Sequence, residues 1–309
     1  MEGQNPSPSA ELFVPASFDR AKADEIDRPV VGYWREAWRQ FRRNRMALAG
    51  LIVLVLMGIM AIIGPHLNGF DYRTQDLYNM YAPPSAEHWL GTDVLGRDVF
   101  TRLWYGARIS LLIGIFSAAL DLLIGAVYGG ISGYFGGTVD DVMMRIVDIL
   151  YGIPYLLIVI LLMVVMGPGF WTIILAMGLT GWVGMARLVR GQVLQLREYE
   201  YALAARALGA SHWRILFRHL LPNSLGVILV NVTLTIPGAI FGEAFLSFIG
   251  LGIPDPMASL GTMVNSGYQV MQAFPLQLIV PAIALSLIML GFNFVGDGLR
   301  DALDPRLRK

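Results

Sequence analysis

The hydrophobic residues of this chain form long blocks that contain almost no charged side chains. A helix that spans a bilayer needs about 20 apolar residues, with a rise of 1.5 Å for each. Every block reaches that length and holds at most one acidic side chain, Asp121 or Glu243. The blocks are 46–70, 109–139, 149–186, 220–254 and 257–296. The pattern predicts an all-α integral membrane protein.

The block 149–186 is too long for one helix across a hydrocarbon core of about 30 Å. Gly167-Pro168-Gly169 lies at its centre. Proline breaks the helical hydrogen-bond ladder and glycine lets the backbone reverse, so we predict a hairpin of two helices. The chain then has six transmembrane helices, at roughly 47–65, 107–130, 142–166, 170–190, 223–249 and 275–296.

The positions of the arginines predict the orientation, because cytoplasmic loops carry an excess of Lys and Arg. With both ends in the cytoplasm, 19 of the 23 basic residues lie on the inner side and 4 on the outer side. The reverse topology would break the rule. We therefore predict that the N-terminus and the C-terminus are both cytoplasmic.

The first 45 residues lack the short apolar core of a cleaved signal peptide. Residues 1–30 are rich in Pro, Ser and charge, as in a loose tail. An apolar face at helical spacing follows, and it consists of Trp34, Ala37, Trp38 and Phe41. The arginines of this segment lie off that face. This pattern favours an amphipathic helix at the membrane surface. A basic stop before the first span would explain the arginines but not the tryptophan spacing.

Composition and charge exclude several kinds of chemistry. The 309 residues are 55% hydrophobic and 15% charged, with no net charge at pH 7, so charge does not point to nucleic acid. There is no cysteine, which removes thiolate catalysis and thiolate metal sites. Neither of the two lysines, Lys22 and Lys309, follows a glycine, and a phosphate-binding P-loop needs that pair. We predict no ATP site of that kind.

The segment 197–222 lies between two predicted spans but has the pattern of two short helices. Glu198 and Glu200 suit a helix N-terminus, and Arg206 suits the last turn of that helix. We expect Gly209 to stop it in a left-handed conformation and Ser211 to cap the next helix.

The second of these helices is amphipathic. Its apolar stripe consists of Trp213, Leu216, Phe217 and Leu220, and Pro222 is expected to end it at the membrane. From the residues alone, the two helices either form a docking surface for a cytoplasmic partner or tuck under their own bundle.

At this segment the sequence resembles the membrane permease subunits of binding-protein-dependent ABC importers. Their cytoplasmic loop reads Glu-Ala-Ala, three residues, Gly, nine residues, Ile, any residue, Leu-Pro. This chain has Ala204-Ala205, Gly209 and Leu221-Pro222 at that spacing, and departs from it at Leu203 and His219. Four further runs resemble the C-type permease of dipeptide and oligopeptide importers, in the peptide/nickel class: 90–111, 140–154, 242–252 and 301–308.

The resemblance implies a type I ABC importer-like permease fold, with several spans in a bacterial-type cytoplasmic (inner) membrane. It implies three kinds of partner: a second homologous permease, two ATP-binding subunits, and an extracytoplasmic substrate-binding protein. ATP and Mg would bind on the partner ATPases, so we expect neither a cofactor nor catalysis here. The implied coupling residues are Glu200, Ala204, Ala205, Arg206, Ala207, Leu208, Gly209, Leu221 and Pro222.

The chain is thereby divided into four parts. We expect a cytoplasmic tail with an interfacial helix at 1–45, then a first span and an extracytoplasmic segment at 46–106. The permease core follows at 107–300, including the coupling loop 197–222, and a second cytoplasmic tail at 301–309. The outer segment is expected to cap the bundle; gating of the path or contact with the binding protein is the alternative.

Ionisable residues at membrane depth are costly and usually face a bundle interior or a water-filled path. Asp121 and Glu243 lie inside predicted spans, and either line the translocation path or pair internally. For Asp140, Asp141 and Asp148 we expect a structural role, for instance a pair between Asp148 and Arg145 one turn earlier.

Glycines at every fourth residue predict close helix contact. They are Gly125, Gly129, Gly133 and Gly137, with the spacing repeated at Gly238 and Gly242.

Other functions remain as alternatives. The alternative within the same class is a permease whose substrate is a nickel chelate or a glutathione-like peptide, in place of a dipeptide or oligopeptide. From a different class, a proton-driven secondary transporter would use Asp121 and Glu243 as carriers. It predicts inverted repeats and broken helices near mid-membrane, which six spans and the long 197–222 loop fit poorly. An enzyme is disfavoured, because no nucleophile is paired with a base.

Overall fold

The computed structural model describes residues 32–303, and within that range the chain is helical apart from turns, loops and one isolated bridge between Thr92 and Asp98. The helices are α1 (Tyr33–Arg43), α2 (Arg45–Ile63), α3 (Val99–Phe135), α4 (Gly137–Gly152), α5 (Tyr155–Met166), α6 (Phe170–Leu196), α7 (Glu200–Ala207), α8 (His212–Ile215), α9 (Leu221–Phe248), α10 (Leu260–Val270) and α11 (Leu276–Leu303). The predicted tail at 1–30 and most of the closing run 301–308 lie outside the described residues.

Five helical stretches are long and apolar enough to cross a membrane. They are 45–66, 99–135, 170–196, 212–248 and 276–303. The helices α4 and α5 form a sixth candidate span, bent by 82°. The prediction of an all-α membrane fold is confirmed, with six spans when the bent pair counts as one.

The bent pair has to cross the membrane, because α3 and α6 run in the same direction. A Cβ added to Gly125 of α3 would lie 2.6 Å from Cβ of Met185 on α6. Eight residues further along α3 and five further along α6, a Cβ on Gly133 would lie 2.7 Å from the carbonyl oxygen of Arg190. Two parallel neighbours need a return crossing between them, and α4 with α5 supplies it.

The single helix predicted for 142–166 is wrong. The helix ends at Gly152, Ile153 is extended, and a new helix begins at Tyr155. Pro154 is the physical reason: it has no N–H to donate, and its ring disfavours helical geometry in the residue before it. The hairpin predicted at Gly167-Pro168-Gly169 is confirmed, since α5 ends at Met166 and Gly167 has φ +78°.

The close contact predicted from the glycine spacing is confirmed for α3. A Cβ at Gly129 would collide with the carbonyl oxygen of Ala186 on α6. Cβ atoms at Gly125 and Gly133, about one turn away on either side, would also meet α6. Gly137 is not part of this contact, because it begins α4 and has open space around it. A Cβ added to Gly242 would contact only the terminal methyl group of Met177, and a Cβ added to Gly238 would have no atom within 4 Å.

The two ends of the described chain lie side by side. Asn44, which caps α2, donates to the Asp301 carboxylate at 3.4 Å, and Phe41 and Ala302 are buried in one cluster. Six crossings, with the bent pair counted as one, likewise leave both ends of the described chain on the same face of the membrane.

The apolar face predicted for α1 is divided between two environments. Ala37 and Phe41 are buried, while Trp34 and Trp38 are 55% and 50% exposed. The inner half of the face therefore packs on the protein, and the tryptophans remain on its outer side.

Candidate functional site

The turn after α7 has the geometry that its sequence predicts. Gly209 has φ +79°. Its N–H donates to the Arg206 carbonyl at 3.0 Å, and the Ala210 N–H donates to the Ala205 carbonyl at 3.0 Å. These two bonds form a Schellman motif. Ser211 then caps α8 by accepting from the Arg214 N–H at 3.4 Å, so the predicted stop and N-cap are both confirmed.

The helix α7 turns most of its surface outward. Ala202 is buried, whereas Leu208 is 88% exposed. The other exposed residues of the predicted coupling motif are Glu200, Ala204, Arg206, Ala207 and Gly209, and Ala205 is half-buried. Burial, with a smaller contribution from Tyr199, raises the pKa of Tyr201 above its ordinary value, so this phenol stays neutral at physiological pH.

The apolar stripe predicted for the second helix divides into two halves. Leu216 and Leu220 are fully buried in a cluster with α3 and α6, whereas Trp213 and Phe217 are 53% and 46% exposed. The two exposed rings stack, with centroids 5.9 Å apart. Large apolar side chains thus remain in the open on both sides of the Gly209 turn.

The expectation that Pro222 ends this helix is wrong. A π-helical turn, Leu216–Leu220, joins α8 to α9, and the helical path continues from His212 to Phe248. Proline is tolerated because it lies in the first turn of α9, where its missing N–H is no loss. Leu221 is half-buried and Pro222 is exposed at this junction.

The segment is tied to the end of α3 by two contacts that the sequence did not predict. The Arg197 guanidinium donates to the carbonyl oxygens of Gly133 and Tyr134, at 3.0 and 3.2 Å. The Tyr134 hydroxyl is 2.8 Å from Nδ1 of His212. These bonds connect the end of α3 with the residue that follows α6 and with the start of α8.

A groove of about 320 Å³ lies among α3, α5, α6 and α9. Asp121 is 5% exposed and lines it, and its Oδ1 accepts no hydrogen bond from the described residues. The carboxylate lies over bare backbone, because a Cβ on Gly181 would collide with both carboxylate oxygens. The other lining residues are Ser117, Tyr155, Met177, Thr180, Thr235, Gly238, Ala239 and Gly242.

Glu243 lies in a different environment from Asp121. It is fully buried and accepts hydrogen bonds from three serine hydroxyls: Ser110 at 3.2 Å, Ser247 at 2.7 Å and Ser259 at 2.5 Å. These serines belong to α3, to α9 and to the N-cap of α10. The structure thus separates the two carboxylates, and Glu243 joins three elements.

The aspartates of α4 pair across helices. Asp140 accepts from Nε and Nη2 of Arg190, at 2.6 and 2.5 Å, and also from the Ser132 hydroxyl. The predicted pair of Asp148 with Arg145 is wrong, because Asp148 bonds Arg187 of α6 at 2.8 Å. A pair one turn apart stabilises a helix by only about 0.2–0.5 kcal/mol, so a partner on the neighbouring helix competes easily. Asp141 is exposed.

Buried arginines fasten the segment between α2 and α3 to the segment before α10. Arg97 is 5% exposed and pairs with Asp93 and Asp255, at 2.7 Å each. Arg102, equally buried, donates to the carbonyl oxygens of Tyr72 and Pro256. The contacts fit the expectation of a cap over the bundle. The sequence shows these charges but gives no distance between them. Among residues 32–303, no cluster of three or more His, Asp or Glu side chains has the geometry to hold a metal ion.

Comparison with protein families gives two matches that together span nearly all of the described chain. Residues 100–309 match the binding-protein-dependent transport system inner membrane component. Residues 32–84 match the N-terminal transmembrane domain of oligopeptide transport permease C.

Curated relatives are 42–54% identical to this chain over more than nine tenths of their length. The dipeptide transport system permease protein DppC of Bacillus subtilis is 54% identical, and the match covers 97% of this chain and 94% of the relative. The oligopeptide permease OppC of the same organism is also 54% identical, covering 96% and 98%. A glutathione transport system permease protein, GsiD of Pectobacterium atrosepticum, is 42% identical, covering 91% and 94%.

Among solved structures, the chain is similar to one from the MetNI methionine ABC transporter in an inward-facing conformation. The TM-score is 0.51 at 22% identity, and the match covers 64% of this chain and 94% of that one. At this identity the likeness supports the fold alone.

Proposed function

The chain belongs to the family of binding-protein-dependent transport system inner membrane components, in the peptide class of ABC importer permeases, and we propose that it forms half of a translocation path coupled to two ATPase subunits. It is a non-catalytic, multi-pass component of a bacterial inner membrane. In this proposal ATP and Mg bind on the partner ATPases. A second permease completes the path, and an extracytoplasmic binding protein delivers the substrate.

The exposed surface around the Gly209 turn carries the proposal. Leu208, Trp213 and Phe217 are large apolar side chains on the side predicted to be cytoplasmic, beside the exposed small residues of α7. Exposed apolar groups of this kind mark contact surfaces for partner proteins. Small alanines allow close seating of α7 in a cleft of the ATPase. The exposed Arg206 suits a carboxylate at the rim of that cleft.

The contacts behind this surface suggest how closure of the ATPases would reach the membrane. Arg197 and His212 bond the end of α3, and Leu216 and Leu220 are buried beside it. The π-helical turn leads without a break into α9. A push on α7 would thus move α3 and α9 together, and rock the permease between inward-open and outward-open states.

The names of the relatives support dipeptides or oligopeptides as the substrate. Two relatives at 54% identity are a dipeptide and an oligopeptide permease. Glutathione is a second candidate, because a glutathione permease is 42% identical over most of both chains. All three ligands share an amide backbone, a free amino group and a carboxylate.

We place the two buried carboxylates in different roles. Asp121 lines the groove among four helices and is proposed to line the translocation path. Glu243 is enclosed by three serine hydroxyls, and is proposed to hold α3, α9 and α10 together.

Subunit composition tests the proposal directly. The chain would be tagged, expressed with its chromosomal neighbours, extracted gently and studied by native mass spectrometry and phosphate release. We expect a complex with a second permease and two ATPase subunits, whose hydrolysis rises when loaded binding protein is added. A chain that purifies alone or as a homo-oligomer, with no ATPase partner, would contradict the docking assignment.

A further inference from the structure

The groove among α3, α5, α6 and α9 lies at one level of the membrane. Asp121, Thr180 and Thr235 each lie within three residues of the midpoint of their predicted spans. Tyr155 lies at the same level, because the bend between α4 and α5 is at the midpoint of the third span. Four helices therefore bring polar side chains to one place in the hydrocarbon core.

Asp121 is the charged group of this groove, and the described residues provide no partner for it. No hydrogen bond to the buried Oδ1 is made, and Gly181 offers only bare backbone beneath the carboxylate. A buried polar atom without a partner costs about 1–3 kcal/mol, and a carboxylate costs more. Glu243 shows that this bundle can satisfy a carboxylate completely when its role is structural.

The remaining polar groups of the groove are hydroxyls. The Thr180 hydroxyl is 3.4 Å from the carbonyl oxygens of Ala176 and Met177, and the Thr235 hydroxyl donates to the Asn231 carbonyl at 2.9 Å. Their oxygen lone pairs remain as acceptors. The Tyr155 hydroxyl is buried and makes no hydrogen bond within the described chain. One carboxylate and a set of hydroxyl oxygens form an acceptor-rich site, and the part of the chain described places no basic side chain among its lining residues.

We infer that this groove binds a primary ammonium group of the transported peptide, with Asp121 as its counter-ion and the hydroxyls of Thr180, Thr235 and Tyr155 as further polar contacts. An ammonium has three donors and no acceptor, which matches a site rich in acceptors. The inference rests on the proposed function, since it needs a peptide to pass through the groove. It adds a selection step in the permease itself, after release from the binding protein.

The natural absence of cysteine makes the groove easy to probe. In the purified complex with the second permease and ATPases, Gly238→Cys introduces the only thiol of this chain, at a lining position where an added Cβ meets no atom within 4 Å. Its reaction with a cationic and an anionic methanethiosulfonate of similar size would be followed by the mass of the chain, with and without ATP. The complex is used only where loaded binding protein still stimulates hydrolysis, so that failure of the proposed function is detected separately.

We expect the cationic reagent to react about tenfold faster than the anionic one, after normalisation to the ratio at the exposed Tyr78→Cys, because a nearby carboxylate attracts cations in a poorly screened site. Asp121→Asn should abolish this preference, and the matched control Asp141→Asn, an exposed aspartate of α4, should retain it. Dialanine should slow the cationic reagent, and N-acetyl-dialanine should not.

Three results would overturn the inference. Equal rates for the two reagents would show that Asp121 does not set the charge preference of the groove. Equal protection by dialanine and by its acetylated form would exclude recognition of the ammonium. No reaction in any nucleotide state would show that the groove is closed, for example by a basic side chain of the second permease.

Discussion

At the scale of single residues, the environment of a buried carboxylate decides what its loss costs. Glu243→Ala should leave the hydroxyls of Ser110, Ser247 and Ser259 without their acceptor and destabilise the fold by about 1–3 kcal/mol. Glu243→Gln keeps the shape of the side chain and one acceptor oxygen, so its loss of stability should be much smaller. The aggregation temperature in detergent would measure both. Equal temperatures for Glu243→Ala and the unmodified chain would contradict the structural role.

The left-handed backbone at Gly209 leads to a second prediction. Its φ of +79° is strained for any residue with a Cβ, although no atom lies within 4 Å of the position that a Cβ would take. The left-handed region costs a non-glycine residue roughly 1–2 kcal/mol, most for a β-branched side chain and least for asparagine. Gly209→Val should therefore displace α7 relative to α8 and uncouple ATP hydrolysis from transport, while Gly209→Asn, the matched control, should transport nearly normally.

The measurement is the ratio of peptide uptake to phosphate release in proteoliposomes that hold the whole complex. For Gly209→Val we expect this ratio to fall while hydrolysis continues. Unchanged transport by that variant would show that the turn does not position a docking helix.

At the scale of helices, the packing of α3 on α6 depends on the absence of side chains along one stripe. Gly129→Ala would force a methyl group onto the Ala186 carbonyl and separate the two backbones, at a cost of about 1–3 kcal/mol. Gly58→Ala is the matched control, since no atom lies within 4 Å of its added methyl group. We expect a lower aggregation temperature for Gly129→Ala alone. A drop of the same size in both variants would show that the stripe is not a special contact.

The helices also show what the sequence could predict. Three features could be predicted from the sequence because each depends on local chemistry: the apolar blocks, the Gly167-Pro168-Gly169 hairpin and the helix stop at Gly209. Pro154 carried the same kind of signal, but the span predicted at 142–166 ran across it as one helix. The pairing of Asp148 with Arg187 was out of reach, since it depends on the distance between α4 and α6. Distances between helices also decide that Glu243 has three serine partners whereas Oδ1 of Asp121 has none among the described residues.

At the scale of the whole molecule, the bend at 152–155 is a feature that a secondary transporter would share, because broken helices near mid-membrane are typical of that class. The family matches place the chain among binding-protein-dependent permeases. In that setting the break has a local consequence. Tyr155, the first residue after the break, lines the same groove as Asp121.

The orientation of the whole chain in the membrane is the last prediction. The described ends lie on one face, since Asn44 bonds Asp301, and the excess of basic residues predicts that this face is cytoplasmic. Because the chain has no cysteine, Tyr78→Cys and Arg43→Cys each introduce a single thiol, both at exposed positions near opposite faces. A membrane-impermeant maleimide should label Tyr78→Cys in intact spheroplasts, and Arg43→Cys only after permeabilisation. Labelling in the opposite order would invert the topology and move the Gly209 surface away from any cytoplasmic ATPase.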